Sequence, residues 1–291
     1  MINNNLAGKL LVISAAVLWG TTGTTQALSP EGASPLAVGA LRLAIGGTAL
    51  FLIYISKNGF SACKKWLNSV TLSGALFIAL YQICFFSGVY MTGVAVGTIV
   101  AIGSSPMFAG LLGSLVMREG LSKAWYVSSA LAVAGGTVLV LTGSKEGVSI
   151  NIYGILLALG AGASYALYTL TSKLLLERKL KPSEVMASQF FFGAFMLAPF
   201  LFINDISWTV TVQGALLMAH LGLIVTTLSY VLFARGLQYV KVSTAGTLAL
   251  AEPLTAGCLG IFFLGEAVSP GTVTGIGLLI AGLVVLSVNR T

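Results

Sequence analysis

The sequence predicts an all-helical polytopic membrane protein of ten transmembrane helices, arranged as two five-helix repeats of opposite membrane orientation. Three observations carry that prediction: a nearly charge-free composition, a succession of apolar runs of spanning length, and an internal match at a fixed offset. Of 291 residues 57% are apolar and only 8% charged, whereas a water-soluble domain carries roughly a quarter charged residues. The 35 glycines are spread through the apolar stretches, as suits helices whose backbones approach closely in lipid. The formal charge of +7 points to cytoplasmic loops rather than to nucleic acid, because basic residues set the orientation of membrane helices. Cys63, Cys84 and Cys258 are isolated from one another, so no disulfide framework, metal site or cofactor is expected.

A hydrocarbon core of about 30 Å takes roughly 20 helical residues to cross. Runs of that length fall near 8–28, 35–56, 69–90, 94–117 and 124–142, then near 152–173, 184–203, 212–233, 243–264 and 271–288. They lack the alternation of barrel strands, so they are read as helices. The first run ends in Thr24, Thr25 and Gln26 without a cleavage-site pattern and is expected to remain in the mature protein. With both termini placed in the cytoplasm, the inside loops hold Lys9, Lys57, Lys64, Lys65, Arg118, Lys123, Lys173, Arg178, Lys179, Lys181, Arg235, Lys241 and Arg290. Outside stands Lys145 alone, with Glu31, Glu146, Asp205 and Glu266. Miscounting one helix would scramble that bias.

The repeat follows from an offset of 147 residues, which carries Pro106 and Glu119 onto Pro253 and Glu266, Gly135 onto Gly282, and Arg42 and Gly46 onto Gln189 and Gly193. An offset one shorter carries Gly8 onto Gly154 and Trp19 onto Tyr165. Each half holds five helices, an odd number, so the second copy lies upside down in the membrane. The expected halves are 8–142 and 152–288, joined by an extracytoplasmic linker at 143–151. Inverted repeats of this kind place a site at the midplane and expose it alternately to either side.

The stretches LWGTTG, ALRLAIGG, SSPMFAGLLGSLVMREGLS and GGTVLVL, followed by GASYALYTL, ARGLQYVKVSTAGTLALAEPLTAG, FFLGEAVS and GLLIAGLVVL, resemble in their duplicated order the EamA-type repeat of the drug/metabolite transporter superfamily. The resemblance covers essentially the whole chain. It implies a ten-helix, exporter-like carrier of amino acids or other small metabolites, with a central cavity lined mainly by helices 1 to 4 and 6 to 9. The second-half position that matches Leu-Arg reads Ser-Gln, so Arg42 has no twin.

Polar side chains inside the apolar runs supply the candidate site. Glu252 lies nine residues past Ser243, about 14 Å along a helix and hence near mid-bilayer. A carboxylate there costs roughly 3 kcal/mol or more, which points to a proton-coupling group or a partner for a substrate ammonium. The competing reading is a hydrogen bond to the kink made by Pro253. Ser105 occupies the equivalent position of the first half. Arg42, about 10 Å into helix 2, either holds a substrate carboxylate, gates against Glu252, or snorkels outward and orients its helix. His220 either titrates near neutrality or bonds a neighbouring helix. Trp19, Tyr81, Gln82, Tyr165, Tyr168 and Tyr230 are the remaining cavity candidates, an amphipathic lining for an organic substrate with an apolar part, with ordinary packing as the alternative. Ser14, Thr21 and Thr25 on helix 1, and Ser164, Tyr168 and Thr171 on helix 6, recur at helical spacing as polar stripes. Glu119 and Glu266 read as anchors at helix ends. Ala109 and Gly113, with Gly271 and Gly275, predict close helix packing and a contact suited to a homodimer.

The function expected is therefore secondary transport by alternating access, with the lipid bilayer and a small organic substrate as partners, a proton as coupling ion, and no enzymatic activity. A Gly-x-Ser-x-Gly elbow and a phosphate-binding Gly-rich Lys loop are both missing from the sequence, which argues against a serine hydrolase and an ATP-driven pump. A passive channel or a xenobiotic exporter of the same fold is the alternative; no charged ring or filter-like loop supports the channel.

Overall fold

A computed structural model describes residues 4–143, 151–265 and 268–288. Lys145, Glu146, Glu266 and Arg290 lie outside the described residues. Those described are helical almost throughout, with no strand among them. Among the described residues, seven helical segments are long and apolar enough to cross a membrane: α1 (Asn4–Ala27), α2 (Pro35–Asn58), α3 (Ser69–Thr92), α6 (Ile152–Glu177), α7 (Pro182–Ile203), α8 (Val212–Leu237) and α9 (Val242–Phe263). Shorter apolar helices α4 (Val100–Val116) and α10 (Pro270–Val288), and the helix α5 (Lys123–Gly143), accompany them. A short 3-10 turn at Phe60–Lys65, not anticipated from the sequence, follows α2.

Helix starts follow local chemistry. Ser34 accepts a bond from the Ala37 amide ahead of Pro35, Asn68 from Thr71, Asn151 from Tyr153 and Gly154, and Thr211 from Gly214, each satisfying amides that a first turn leaves open. Gly59 and Gly265 end their helices at positive φ, 75° and 68°, a region open to glycine.

The structure adds three features. Residues Ser69–Val116 form one helical stretch of 48 residues, yet a Cβ on Gly97 would stand 2.7 Å from the Val89 Cα. In a straight helix those positions are about 12 Å apart, so the chain turns back on itself without a loop and α3 and α4 run antiparallel. Both limbs lie on α6: Gly88 meets Gly154 and Ala158, and Gly162 meets Ala101 and Ser104. Second, α8 is π-helical over His220–Leu228. Third, α9 is interrupted at Ala249 and Leu250, just before Glu252 and Pro253.

The repeat is visible in the contacts themselves. Gly135 packs on Gly275 O and Leu279 N, while Gly282 packs on Ser128 O and Ala132 N; the sequence offset maps each contact onto the other. The same reciprocity links Gly46 on Gly222 O with Gly193 on Ala75 O, and Gly8 on Gly236 O with Gly154 on Gly88 O. Such approaches need the small residue, since a Cβ would lie about 2.6 to 3.3 Å from the facing backbone. The start of α1 meets the end of α8 at one extremity, whereas the start of α6 meets the end of α3 at the other. The two halves therefore run in opposite directions. The first extremity also carries exposed Lys57, Lys64, Lys65, Lys123, Arg178 and Lys179 and is the basic end; exposed Glu31 and Asp205 mark the acidic end. There the amide and hydroxyl of Ser207 hold the Asp205 carboxyl below the usual carboxylate range.

Ala109 packs against Gly246, Gly113 against Glu119 and Gly275 against Gly135, the close helix packing expected of them. One expectation changes. Ser14 is exposed beside exposed Leu10 and Val17, apart from Thr21, so the helix 1 stripe does not form a single lining.

Candidate functional site

The interior is richest in polar and aromatic groups where α1, α6 and α8 meet. Trp19 of α1, 4% exposed, donates its indole N–H to Ser229 Oγ at 2.8 Å. Its ring lies 4.9 Å from Tyr230, 5.3 Å from Phe233 and 6.0 Å from Tyr165, centroid to centroid. Tyr165 continues the cluster to Tyr81 at 5.9 Å and Tyr168 at 6.5 Å, and Tyr230 reaches Phe190 of α7 at 4.5 Å. Tilted and edge-on geometries of this kind fit the ring quadrupoles and add rigidity.

Against this box stands Glu252. The break at Ala249–Leu250 starts a new helical turn there, with the Glu252 amide bonded to Ala249 O at 2.9 Å. Its carbonyl is pressed against Gly20, where a Cβ would come within 2.7 Å, so α1 and α9 are in backbone contact at this level. The carboxylate interacts electrostatically with Arg42 and with the hydroxyls of Tyr81, Tyr165 and Tyr230. The residue is half-buried rather than sealed. From it toward the acidic end, Thr21, Thr24, Thr25, His220 and Thr255 are half-buried too, whereas α9 from Val242 to Ala251 is buried throughout.

Arg42 is 6% exposed and donates from Nε to Thr226 Oγ1 at 3.4 Å, so it is held inside against the π-helical part of α8 instead of extending outward. That segment supplies its own hydroxyls: Thr226 and Thr227 donate to the carbonyls of Leu221 and Gly222, five residues back, at 2.8 and 2.9 Å. A widened π turn frees acceptors that an unpaired helix in lipid could not leave bare.

Of the residues singled out from sequence, Trp19, Tyr81, Tyr165, Tyr230, Arg42 and Glu252 come together. Tyr168 joins the rings, but its hydroxyl donates to Met186 Sδ at 3.0 Å, away from Glu252. Ser105 donates to Ile102 O of its own helix at 2.9 Å, and its carbonyl faces Gly246. His220 Nε2 lies 2.9 Å from Thr21 Oγ1, tying α8 to α1 toward the acidic end. Gln82 is 3% exposed, and its carboxamide oxygen, like the Tyr165 hydroxyl, is buried without a hydrogen-bond partner. Phe190, Phe233, Thr226 and Ser229 belong to the assembly and were not expected from sequence. The signal available for the last two is the hydroxyl run Thr226, Thr227, Ser229 inside an apolar helix.

The chain is 46% identical over 280 residues to the uncharacterized transporter YwfM of Bacillus subtilis (strain 168), covering 96% of this chain and 93% of that protein. It is 25% identical to the uncharacterized inner membrane transporter YicL of Salmonella typhimurium (strain LT2), covering 97% and 95%, and 26% identical to protein PecM of Dickeya dadantii (strain 3937), covering 94% and 89%. A solved crystal structure shares the fold, with a TM-score of 0.81 at 22% identity over 96% of this chain and 95% of that one. The profile of the EamA-like transporter family matches twice, at residues 6–142 and 152–288. With two inverted halves meeting at a polar centre and two consecutive matches to one profile, the chain is a multi-pass membrane transporter and belongs to the EamA-like transporter family.

Proposed function

We propose that the chain is a proton-coupled secondary transporter of the inner or plasma membrane that exports a small organic metabolite, an amino acid or a related amine or carboxylate. In this reading it has ten spans with cytoplasmic termini, and halves 8–142 and 152–288 joined by a linker at 143–151. The carrying observation is Glu252, half-buried and within electrostatic reach of Arg42 and of the Tyr81, Tyr165 and Tyr230 hydroxyls. An acid and a guanidinium that share a site without a direct ion pair offer separate partners to an ammonium and to a carboxylate, and rings close to the acid favour a cation with an apolar body. Proton binding to Glu252 removes the partner of the ammonium. Proton binding and amine binding then exclude one another, so proton entry goes with amine departure, which is the requirement for exchange coupling. The half-buried path toward the acidic end supports release on that side.

Flux in proteoliposomes tests this. A panel of radiolabelled amino acids, amines and carboxylates is loaded, and efflux is followed with and without an imposed pH gradient. Saturable efflux of one class with counterflow is expected, with Glu252→Gln losing the response to the pH gradient while the protein still purifies as a folded species. A pH response unchanged in Glu252→Gln would remove the coupling role, and non-saturating flux would favour a channel.

A further inference from the structure

At the basic end, the junction between α8 and α9 is held by charged side chains acting on helix termini. Glu119, in the turn after α4, accepts the Val242 amide on Oε1 at 2.7 Å, and the Ser243 amide and hydroxyl on Oε2 at 3.1 and 2.7 Å. Lys173 of α6 donates to the carbonyls of Leu237, Gln238 and Val240 at 2.8, 3.4 and 2.9 Å. Lys241 answers from the other side, donating to Gly120 O at 3.2 Å. A carboxylate thus sits on the first amides of α9 and an ammonium on the last carbonyls of α8, each matching the local helix dipole. A cavity of about 300 Å³ opens beside them, lined among others by Glu119, Lys173, Glu177 and Thr244.

These caps join two groups of helices that are each tightly packed within themselves. The limbs α3 and α4 lie on α6 through Gly88, Gly154 and Gly162, while α1 lies on α8 and α9 through Gly8, Gly236 and Gly20. Backbone-to-backbone glycine seams of that kind do not part without losing packing on both sides. The caps differ. They sit at the rim of an open cavity, so water can take over each hydrogen bond as the groups separate. Behind them, α4, α6 and α9 meet in a small apolar plug of Ala109, Ala166, Leu170 and Val242.

We infer that the Glu119 and Lys173 caps are the inner gate of the carrier, closed in this structure, and that the cavity is its vestibule. This rests on the reading of the chain as an alternating-access carrier. Opening parts α9 and α8 from α4 and α6 at the basic end, and the plug becomes the floor of the inward path.

Cysteine labelling tests the gate without a substrate. In a background with Cys63, Cys84 and Cys258 replaced by Ser, one reporter is Leu170→Cys in the plug and the other is Thr25→Cys near the acidic end. Membrane-impermeant maleimide is applied to inverted and to right-side-out vesicles. Glu119→Ala is expected to raise Leu170→Cys labelling from the basic side about tenfold, the net effect on an opening equilibrium of losing three charge-assisted hydrogen bonds that water replaces in the open state, and to lower Thr25→Cys labelling from the acidic side. Glu119→Gln, whose amide keeps one acceptor, gives a smaller shift of the same sign and carries the test if Glu119→Ala does not fold. Increases at both reporters would show a general loosening and overturn the gate, as would no change at either. Because transport is not measured, a reciprocal change combined with a pH response left unchanged in Glu252→Gln would leave the gate standing and remove only the coupling role.

Discussion

Glu252 and Arg42 interact electrostatically without touching, and their energetics are those of charges that neither water nor a direct partner fully compensates. Removing one exposes the other to its full desolvation cost. Arg42→Met is therefore expected to lower thermal stability, and Glu252→Gln introduced into it to restore part of the loss. Melting curves of the two single variants and the double variant give the coupling, expected at about 0.5–3 kcal/mol; strictly additive effects would mean that the two charges act apart. This pair is legible in the sequence because an ionisable residue inside an apolar run stands out against its surroundings. Trp19, Tyr165 and Tyr230 are legible for a similar reason, as rings with a polar tip. Phe190 and Phe233 are not, since a phenylalanine in a lipid-like helix looks the same whether it faces a cavity, a neighbouring helix or an acyl chain.

Among elements, glycine seams decide how closely the helices approach. Gly135 and Gly282 make equivalent contacts in the two halves, each against a carbonyl at 2.7 Å from the position a Cβ would take. Adding that carbon forces α5 and α10 apart, and overpacking of a seam costs about 1–3 kcal/mol. Gly135→Ala and Gly282→Ala are therefore expected to lower the melting temperature by similar amounts; a large effect in one with none in the other would show that the two contacts are not equivalent. The positions of the helices were readable from apolar length alone. The reversal between α3 and α4 is placed by the sequence between 90 and 94; that the chain stays helical through it, over Ser69–Val116, was not readable, because the composition is the same on both sides of Gly97. The π turn of α8 also escapes sequence reading, since nothing in HLGLIVTTL breaks the helical period.

For the whole molecule, the halves are joined far more by contact than by chain. α2 packs on α7, α5 on α10, and α3 and α4 on α6, so each half buries its faces against the other. Two polypeptides made by interrupting the chain within 143–151 are expected to assemble when co-expressed and to co-purify through a tag on either one. Failure to associate would mean that covalent linkage holds together what the helix contacts do not. The inverted relationship was readable from sequence through the offset of 147 residues. The contacts add what an offset cannot supply, namely which helix of one half meets which helix of the other.

The π-helical stretch His220–Leu228 has a mechanical consequence. A π turn holds one residue more than the α-helix around it requires, and a shift of that surplus residue past Leu221 and Gly222 leaves neither carbonyl bare, because the hydroxyls of Thr226 and Thr227 already pair with them. Each step of the defect carries one residue across it by about 1.5 Å and 100°. Tyr230 and Phe233 lie on the far side of it from His220. A wandering dislocation in α8 would thus let the rings above the carboxylate be re-aimed while both ends of the helix stay clamped.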